Sequence, residues 1–438
     1  MTTGTKQSGQ MHLIQMLFNM PTSHTIGAWR DESDEQLPGL CSIDYWQDVA
    51  RLAEKGKLDG VFFADTAAPH DRYRDTALSS IEYGAAWPAH DPLSACAVMA
   101  AATRYLSFGT TLSITGVPPY QAVRRISTLD CMSKGRMGWN VVTGHIRGEH
   151  LANGLDQMPH DERYDYADEY MEICYSLWDS IPPEAILADK ETGVFVDISK
   201  VKEVDFQGKY LRCRGVGPTL LSAQGRPVMI QAGSSGRGMR FAVTHAELVF
   251  AIQPNLAMMK SFMARIGEAG KEVGRPTTPV IFGIQPILGG TVEEAERLLA
   301  RLQERLSIEG SLSRMSGTMG VDLSKFDLDK PISEMRTEAS QGMMAAIAGG
   351  NPDLTLREIA MKVGISAGIP QFVGTPEQFA DHMEQLWHET GCHGFNVSPT
   401  LSPKSIAAFT EEVVPLLQRK GIFRTDYTGS TFRDNLFN

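Results

Sequence analysis

The sequence predicts an α/β chain folded as a (β/α)8 barrel of the TIM type, carrying insertions. Short apolar stretches of strand character alternate with helical runs along nearly the whole chain, and such alternation implies right-handed crossovers and a parallel sheet. About eight such stretches occur, enough to close a ring rather than leave an open sheet. The chain has 438 residues, 42% of them hydrophobic, which is ample for a large core. Barrels of this kind absorb roughly 250 to over 400 residues as one unit, so a single domain over 1–438 is expected rather than several.

His12 to Asn19 (HLIQMLFN) reads as the first buried strand, followed by a polar loop and a helix from about Ser42 to Gly56. Gly60 to Asp65 is a second strand that ends in an acid. The connection from Thr66 to His90 is expected to lie over the mouth of the site. Asp91 then caps a helical run with proline in its first turn. Leu106 to Ser113 is the third strand, with a helix behind it. The fourth lies in SKGRMGWNVVTGH, Ser133–His145. There Gly135 can take the positive φ that closes the preceding helix, and Met137, Trp139, Val141 and Val142 favour a half-buried extended backbone.

Asp161 to Trp178 shows helical spacing. An insertion near 185–226 carries its own hairpin, VDFQGKYLRCRG. Strands follow at Pro227–Ala232, Glu247–Ala251 and Val280–Leu288. A second insertion spans 307–370: SGTMGVDLSKFDLDKP reads as loop, and ASQGMMAAIAGGNPD as helix broken by Gly-Gly-Asn-Pro. This insertion is a candidate lid. Strand and helix alternate again at Gln371–Val373, Pro376–Thr390, Gly394–Val397 and Pro403–Lys420. A tail, 421–438, is rich in aromatics and arginines and is expected to pack on a neighbour or on the barrel itself.

Six blocks, in order, carry a resemblance. They are GVFFADT (Gly60–Thr66), GTTLSITGVPPY (Gly109–Tyr120), SKGRMGWNVVTGH, HDERYDYADEY (His160–Tyr170), PVMIQAGSS (Pro227–Ser235) and LQRKGIFRTDYTGSTFRDNL (Leu417–Leu436). Together the chain resembles the bacterial-luciferase-like, FMN-dependent monooxygenases, in the branch of nitrilotriacetate and dibenzothiophene-sulfone monooxygenase. The resemblance implies that reduced FMN binds at the C-terminal mouth of the barrel and meets O2 there. A flavin C4a-(hydro)peroxide would then pass one oxygen atom to a small organic substrate. It also implies a separate NAD(P)H-dependent flavin reductase that supplies reduced FMN in trans, and a homo-oligomer. No nicotinamide fingerprint occurs in the chain, as that division of labour requires.

Each candidate site residue has a structural reading beside the functional one. Asp65 is either a turn residue or, by resemblance, an FMN contact at a strand end, where functional residues of this fold gather. Thr111 either fills the barrel interior or contacts FMN, with Thr110 one register position away. Asn140 is either a buried amide that pins the backbone or a partner of the isoalloxazine edge. His160 and Tyr164, four apart on a helix, are a capping pair or ligands of the ribityl phosphate. Ser234 and Ser235 precede a helix whose N-terminus would favour that phosphate. His24, in HTIGAWR, and His145 are pocket candidates for flavin or substrate. No residue is singled out as acid or base. Thr318 stands where sulfone-type members tend to carry histidine, so the substrate is left open among aminopolycarboxylates, sulfones or thioethers, alkanes and nitrogen heterocycles.

The remaining features exclude more than they assert. A net charge of −11 argues against nucleic acid, which wants a basic face. No apolar run approaches the ~18 residues of a membrane helix, the N-terminus has no signal core, and six scattered cysteines suit reduced thiols, so a cytoplasmic location is expected. His382, His388, Cys392 and His393 match no zinc spacing, and no metal is expected. No nucleophile elbow or P-loop occurs. Two further readings remain: a deazaflavin-dependent hydride-transfer enzyme of the same superfamily, and a flavin-binding barrel without turnover.

Overall fold

The computed structural model describes residues 9–275, 278–334, 351 and 353–437. Its strands are β1 (His12–Leu17), β2 (Gly60–Phe63), β3 (Ser107–Ser113), β4 (Met137–Val142), β5 (Val204–Gln207), β6 (Arg212–Gly215), β7 (Val228–Gln231), β8 (Leu248–Ala251), β9 (Val280–Leu288), β10 (Gln371–Gly374) and β11 (Gly394–Val397). Eight of them close a parallel ring in the order β1, β2, β3, β4, β7, β8, β9, β11, with β11 returning to β1. β5 and β6 form the antiparallel hairpin read from VDFQGKYLRCRG. β10 is not a barrel strand. It extends the sheet from the second half of β9, where Gln371 pairs with Gln285 and Gly374 with Leu288. The first half of β9 is the part that serves the ring.

Strand alternation sorts the side chains into two sets. Leu13, Leu17, Phe63, Phe108, Met137 and Phe395 face outward into the layer beneath the helices. Ile14, Met16, Phe62, Val228, Ile230, Leu248, Phe250 and Ile281 fill the barrel. Gly135 has φ 84°, the left-handed turn expected of it. Its neighbour Arg136 ties the start of β4 to the unit before it, donating to Ala100 O of helix Pro92–Ala101 at 2.9 Å and to Leu106 O, just ahead of β3, at 2.7 Å.

The tail closes the N-terminal end of the barrel. A side chain on Gly138 would meet Phe432 Cε1 at 2.8 Å, and Phe432 and Leu436 belong to the barrel's interior cluster. Arg424 ion-pairs with Asp59, just ahead of β2, and donates to Asn435 O at 2.7 Å. Asp59 Oδ1 also meets His12 Nδ1 at 2.8 Å, and its Oδ2 accepts from Leu13 N at 2.7 Å. Burial pushes the Asp59 carboxyl upward, but His12, Arg424 and these bonds outweigh it and hold the group below its usual range. The tail therefore packs on the barrel's own lower face.

The second insertion is more ordered than its sequence suggests. Helix Ile308–Met319 runs through Ser316–Met319, which reads as loop, because Leu312, Met315 and Met319 bury one face against Ile359, Ala360 and Val363 of helix Leu356–Ser366. Most of ASQGMMAAIAGGNPD lies outside the described residues. Short helices at Arg147–Ala152 and Leu78–Glu82 also escape the sequence reading. His382 stacks on Phe372 and His393 on His12, and no group of three metal-capable side chains gathers among the described residues. No helix among them is long and apolar enough to cross a membrane.

Candidate functional site

The C-terminal end of the ring opens on a cavity of about 220 Å3. Phe18 and Met20 reach it from the end of β1, Ala64 and Asp65 from β2, and Ile252 from β8; His145 lies on the loop after β4. Ligands gather at this end of such barrels because the βα loops are free to vary there. His24 of the first loop, Thr66 and His70 of the second, and Arg314 and Thr318 of the second insertion also line it. Three residues proposed from sequence, His24, Asp65 and His145, thus share one space.

The cavity is electrostatically unusual. Burial, with the nearby Asp91 and Glu149 carboxylates adding repulsion, raises Asp65 to about 7. Asp65 is one of the residues that line the cavity. Burial and the Arg314 charge push the His24 imidazole well below its ordinary value. His70 falls to about 3 through burial, with His145 and Arg314 adding to the effect, and His145 to about 4 through burial and Arg163. The imidazoles are therefore neutral near pH 7, whereas Arg314, lowered by burial to about 10, keeps its charge. His24 Nδ1 shares a hydrogen with Ser398 Oγ at 2.9 Å, and its ring meets Phe18 edge-on at 4.6 Å.

Thr111 and Asn140 sit deeper, within the strands. They are register partners across β3 and β4, and the inward set of their strands includes Gly109 and Gly138. Asn140 Nδ2 donates to Thr111 Oγ1 at 2.9 Å. Thr110 faces outward toward Cys96 of the helix Pro92–Ala101, which settles the register in favour of Thr111 as the inward residue. Asn140 is 3% exposed, yet its Oδ1 has no partner among the described residues. A buried acceptor left unpaired costs about 1–3 kcal/mol, so it is poised for a ligand's donor.

A third group lies beside the end of β7. Ser235 caps helix Gly236–His245, its Oγ accepting from Gly238 N at 3.0 Å. The buried Tyr164 hydroxyl bonds the side chains of Gln231 and Ser235. A Cβ on Gly238 would lie 2.6 Å from that hydroxyl and 2.9 Å from Ser235 Oγ, so glycine is needed for the close approach. His160 packs edge-on against Tyr164 at 5.3 Å, with its Nδ1 2.6 Å from Asp161 Oδ1. Ser234 is exposed, and its carbonyl accepts from Arg265 at 3.0 Å. Hydroxyls and uncapped N–H groups at a helix N-terminus suit an anion.

The sequence profile of the luciferase-like monooxygenase family matches residues 16–394. The chain belongs to that family. It is similar to dibenzothiophene-sulfone monooxygenase of Rhodococcus erythropolis (strain XP), 38% identical over 98% of this chain and 97% of that one. It is also similar to nitrilotriacetate monooxygenase component A of Aminobacter aminovorans, at 34% identity over 98% and 96% of the two chains. Among solved structures it superposes on riboflavin lyase (RcaE), crystallised with modified FMN and riboflavin, with a TM-score of 0.89 and 31% identity over 98% and 96% of the chains. Family and fold together make the protein an FMN-dependent oxidoreductase of the branch its six motifs resemble.

The luciferase-like frame gives the three groups a common logic, and FMN fits them on their own chemistry. Asn140 offers an unpaired amide oxygen inside the barrel, and the Tyr164–Ser235 corner offers hydroxyls at a helix N-terminus. Sequence reasoning missed Arg314, His70 and Gln231. Gln231 was within reach, as the polar end of the strand in PVMIQAGSS. Arg314 and His70 sit in segments that carry no strand period to place them.

Proposed function

We propose that this luciferase-like enzyme binds reduced FMN, delivered by a separate NAD(P)H-dependent flavin reductase, and uses O2 to oxygenate a small organic substrate in the cavity at the barrel mouth. The observation that carries the reading is the buried Asn140 amide, anchored by Thr111 with its oxygen left unpaired. Asn140 and Thr111 would hold the flavin ring system, and Ser235 and Tyr164, with Ser234 and His160 beside them, the phosphate. When bound, reduced FMN supplies the electrons that activate O2. The chain's own task is orientation and exclusion of water. Asp65, with its carboxyl raised to about 7, can hold a proton on its Oδ atoms near neutral pH. The neutral His24 and His145 rings add polar wall without adding charge.

Anaerobic titration with reduced FMN, followed by rapid mixing with oxygenated buffer, tests this. Saturable binding, and flavin reoxidation slower than that of free reduced FMN, are expected. Failure of reduced FMN to bind would overturn the assignment.

A further inference from the structure

Arg314 projects from helix Ile308–Met319 into the wall of the cavity. Its Nη1 donates to His24 O and its Nη2 to Val363 O, both at 2.6 Å, and its Nε is buried without a partner among the described residues. Backbone carbonyls orient a guanidinium but do not neutralise it. Arg424 and Arg433, also withdrawn from solvent, meet a carboxylate: Asp59 for the first and Glu247, at 2.7 Å, for the second. Arg136 is held on carbonyls as Arg314 is, but each of its guanidinium nitrogens is bonded, and Glu54 lies near enough to favour its charge. Among the described residues, Arg314 has no such ion pair; His24 and His70, which feel its charge, are neutral, and Asp65, raised to about 7, lines the same cavity without pairing with it. A desolvated cation without a counter-charge is costly to keep. A guanidinium also cannot shed its proton at neutral pH. Phe18, Met20 and Ile252 give the same space an apolar stretch beside these polar groups.

We propose that Arg314 docks an anionic oxygen group of the substrate, a carboxylate or a sulfinate or sulfonate, while the apolar remainder of that substrate lies against Phe18, Met20 and Ile252. This deepens the functional reading and rests on its placing the substrate in this cavity. It narrows the class to amphipathic organic acids, for which a charge-assisted bond from a fixed guanidinium gives both orientation and selectivity.

The test is calorimetry on the protein saturated with FMN, so that the phosphate corner is filled. Benzoate and benzenesulfinate are the charged probes and benzyl alcohol the neutral one. The native protein should bind the charged probes about tenfold or more tightly than the alcohol, the worth of a charged hydrogen bond. Arg314→Met should bring that ratio close to one, and Arg314→Lys should keep part of it. If Arg314→Met does not fold, Arg314→Gln, which can still donate to one of the two carbonyls, carries the same comparison. Equal affinity for charged and neutral probes in the native protein, or a ratio unchanged in a folded Arg314→Met or Arg314→Gln protein, overturns the proposal. Should FMN itself not bind, the flavin reading falls, while the probe ratio measured without FMN still decides the role of Arg314.

Discussion

Asn140 donates its amide N–H to Thr111 Oγ1 at 2.9 Å, across two parallel strands on which the residues are register partners. The bond fixes which end of the amide faces the open interior. Replacing Thr111 by valine keeps the shape and removes the acceptor. The freed Asn140 Nδ2–H would then be buried without a partner, at a cost of about 1–3 kcal/mol. Urea unfolding should show that loss. Reduced-FMN titration should show weaker binding as well, because the amide no longer has a single orientation. Unchanged flavin affinity in the folded variant would remove Asn140 from the binding site.

Ser235→Ala separates the cap from the phosphate contact. Loss of the cap should lower stability by about 1 kcal/mol. If Ser235 also holds phosphate, affinity for FMN should fall while affinity for riboflavin, which has none, stays nearly constant. Parallel titrations with the two flavins give the answer. A proportional loss for both would make Ser235 a helix cap and nothing more.

Asp65 sets a pH dependence. Its carboxyl is raised by burial, and by Asp91 and Glu149, to about 7 from an ordinary value of 3.8. An acid with a raised folded pKa keeps its proton longer in the native state. The fold is therefore unpenalised below about pH 4 and loses stability as pH rises toward and through 7. Asp65→Asn cannot ionise and escapes that loss. Its melting temperature relative to the native protein should rise between about pH 4 and about pH 7 and level off above. A difference that stays flat across this window would show that Asp65 ionises normally.

Phe432 tests the barrel floor. Its ring is fully buried against Gly138 and the interior cluster. Phe432→Ala should cost about 3–5 kcal/mol, as other buried Phe truncations do. Flavin affinity measured well below the melting temperature should change little, since the floor is at the opposite end from the cavity. A mild effect on stability would mean the tail is an accessory rather than part of the core.

The barrel was legible because its signal is local. Each apolar strand, and the turn at Gly135, declares itself within a few residues. The exceptions have a physical cause. Gln371–Gly374 carries strand chemistry, but pairing with the far half of β9 rather than with the ring is a long-range choice that short-range pattern does not encode. Helix Ile308–Met319 reads as loop at its end because Ser316, Gly317 and Thr318 are poor helix formers; packing against helix Leu356–Ser366 overrides them. Asp65, His24 and His145 could each be named as candidates, but their sharing one cavity follows only from ring closure. Arg314 gave no sign at all, since its meaning lies in the carboxylate it lacks.

The sealed floor has a consequence for how the protein is made. Arg424 and Asp59 are 365 residues apart in sequence, and Gly138 leaves room for a ring that is synthesised long after β4. A ribosome that has completed all eight ring strands has still produced a barrel with an open base, its apolar lining wet and its Asp59 without the Arg424 charge. Protection of the β1, β2 and β4 amides from hydrogen exchange should therefore come late, only once the segment around Phe432 has left the exit tunnel.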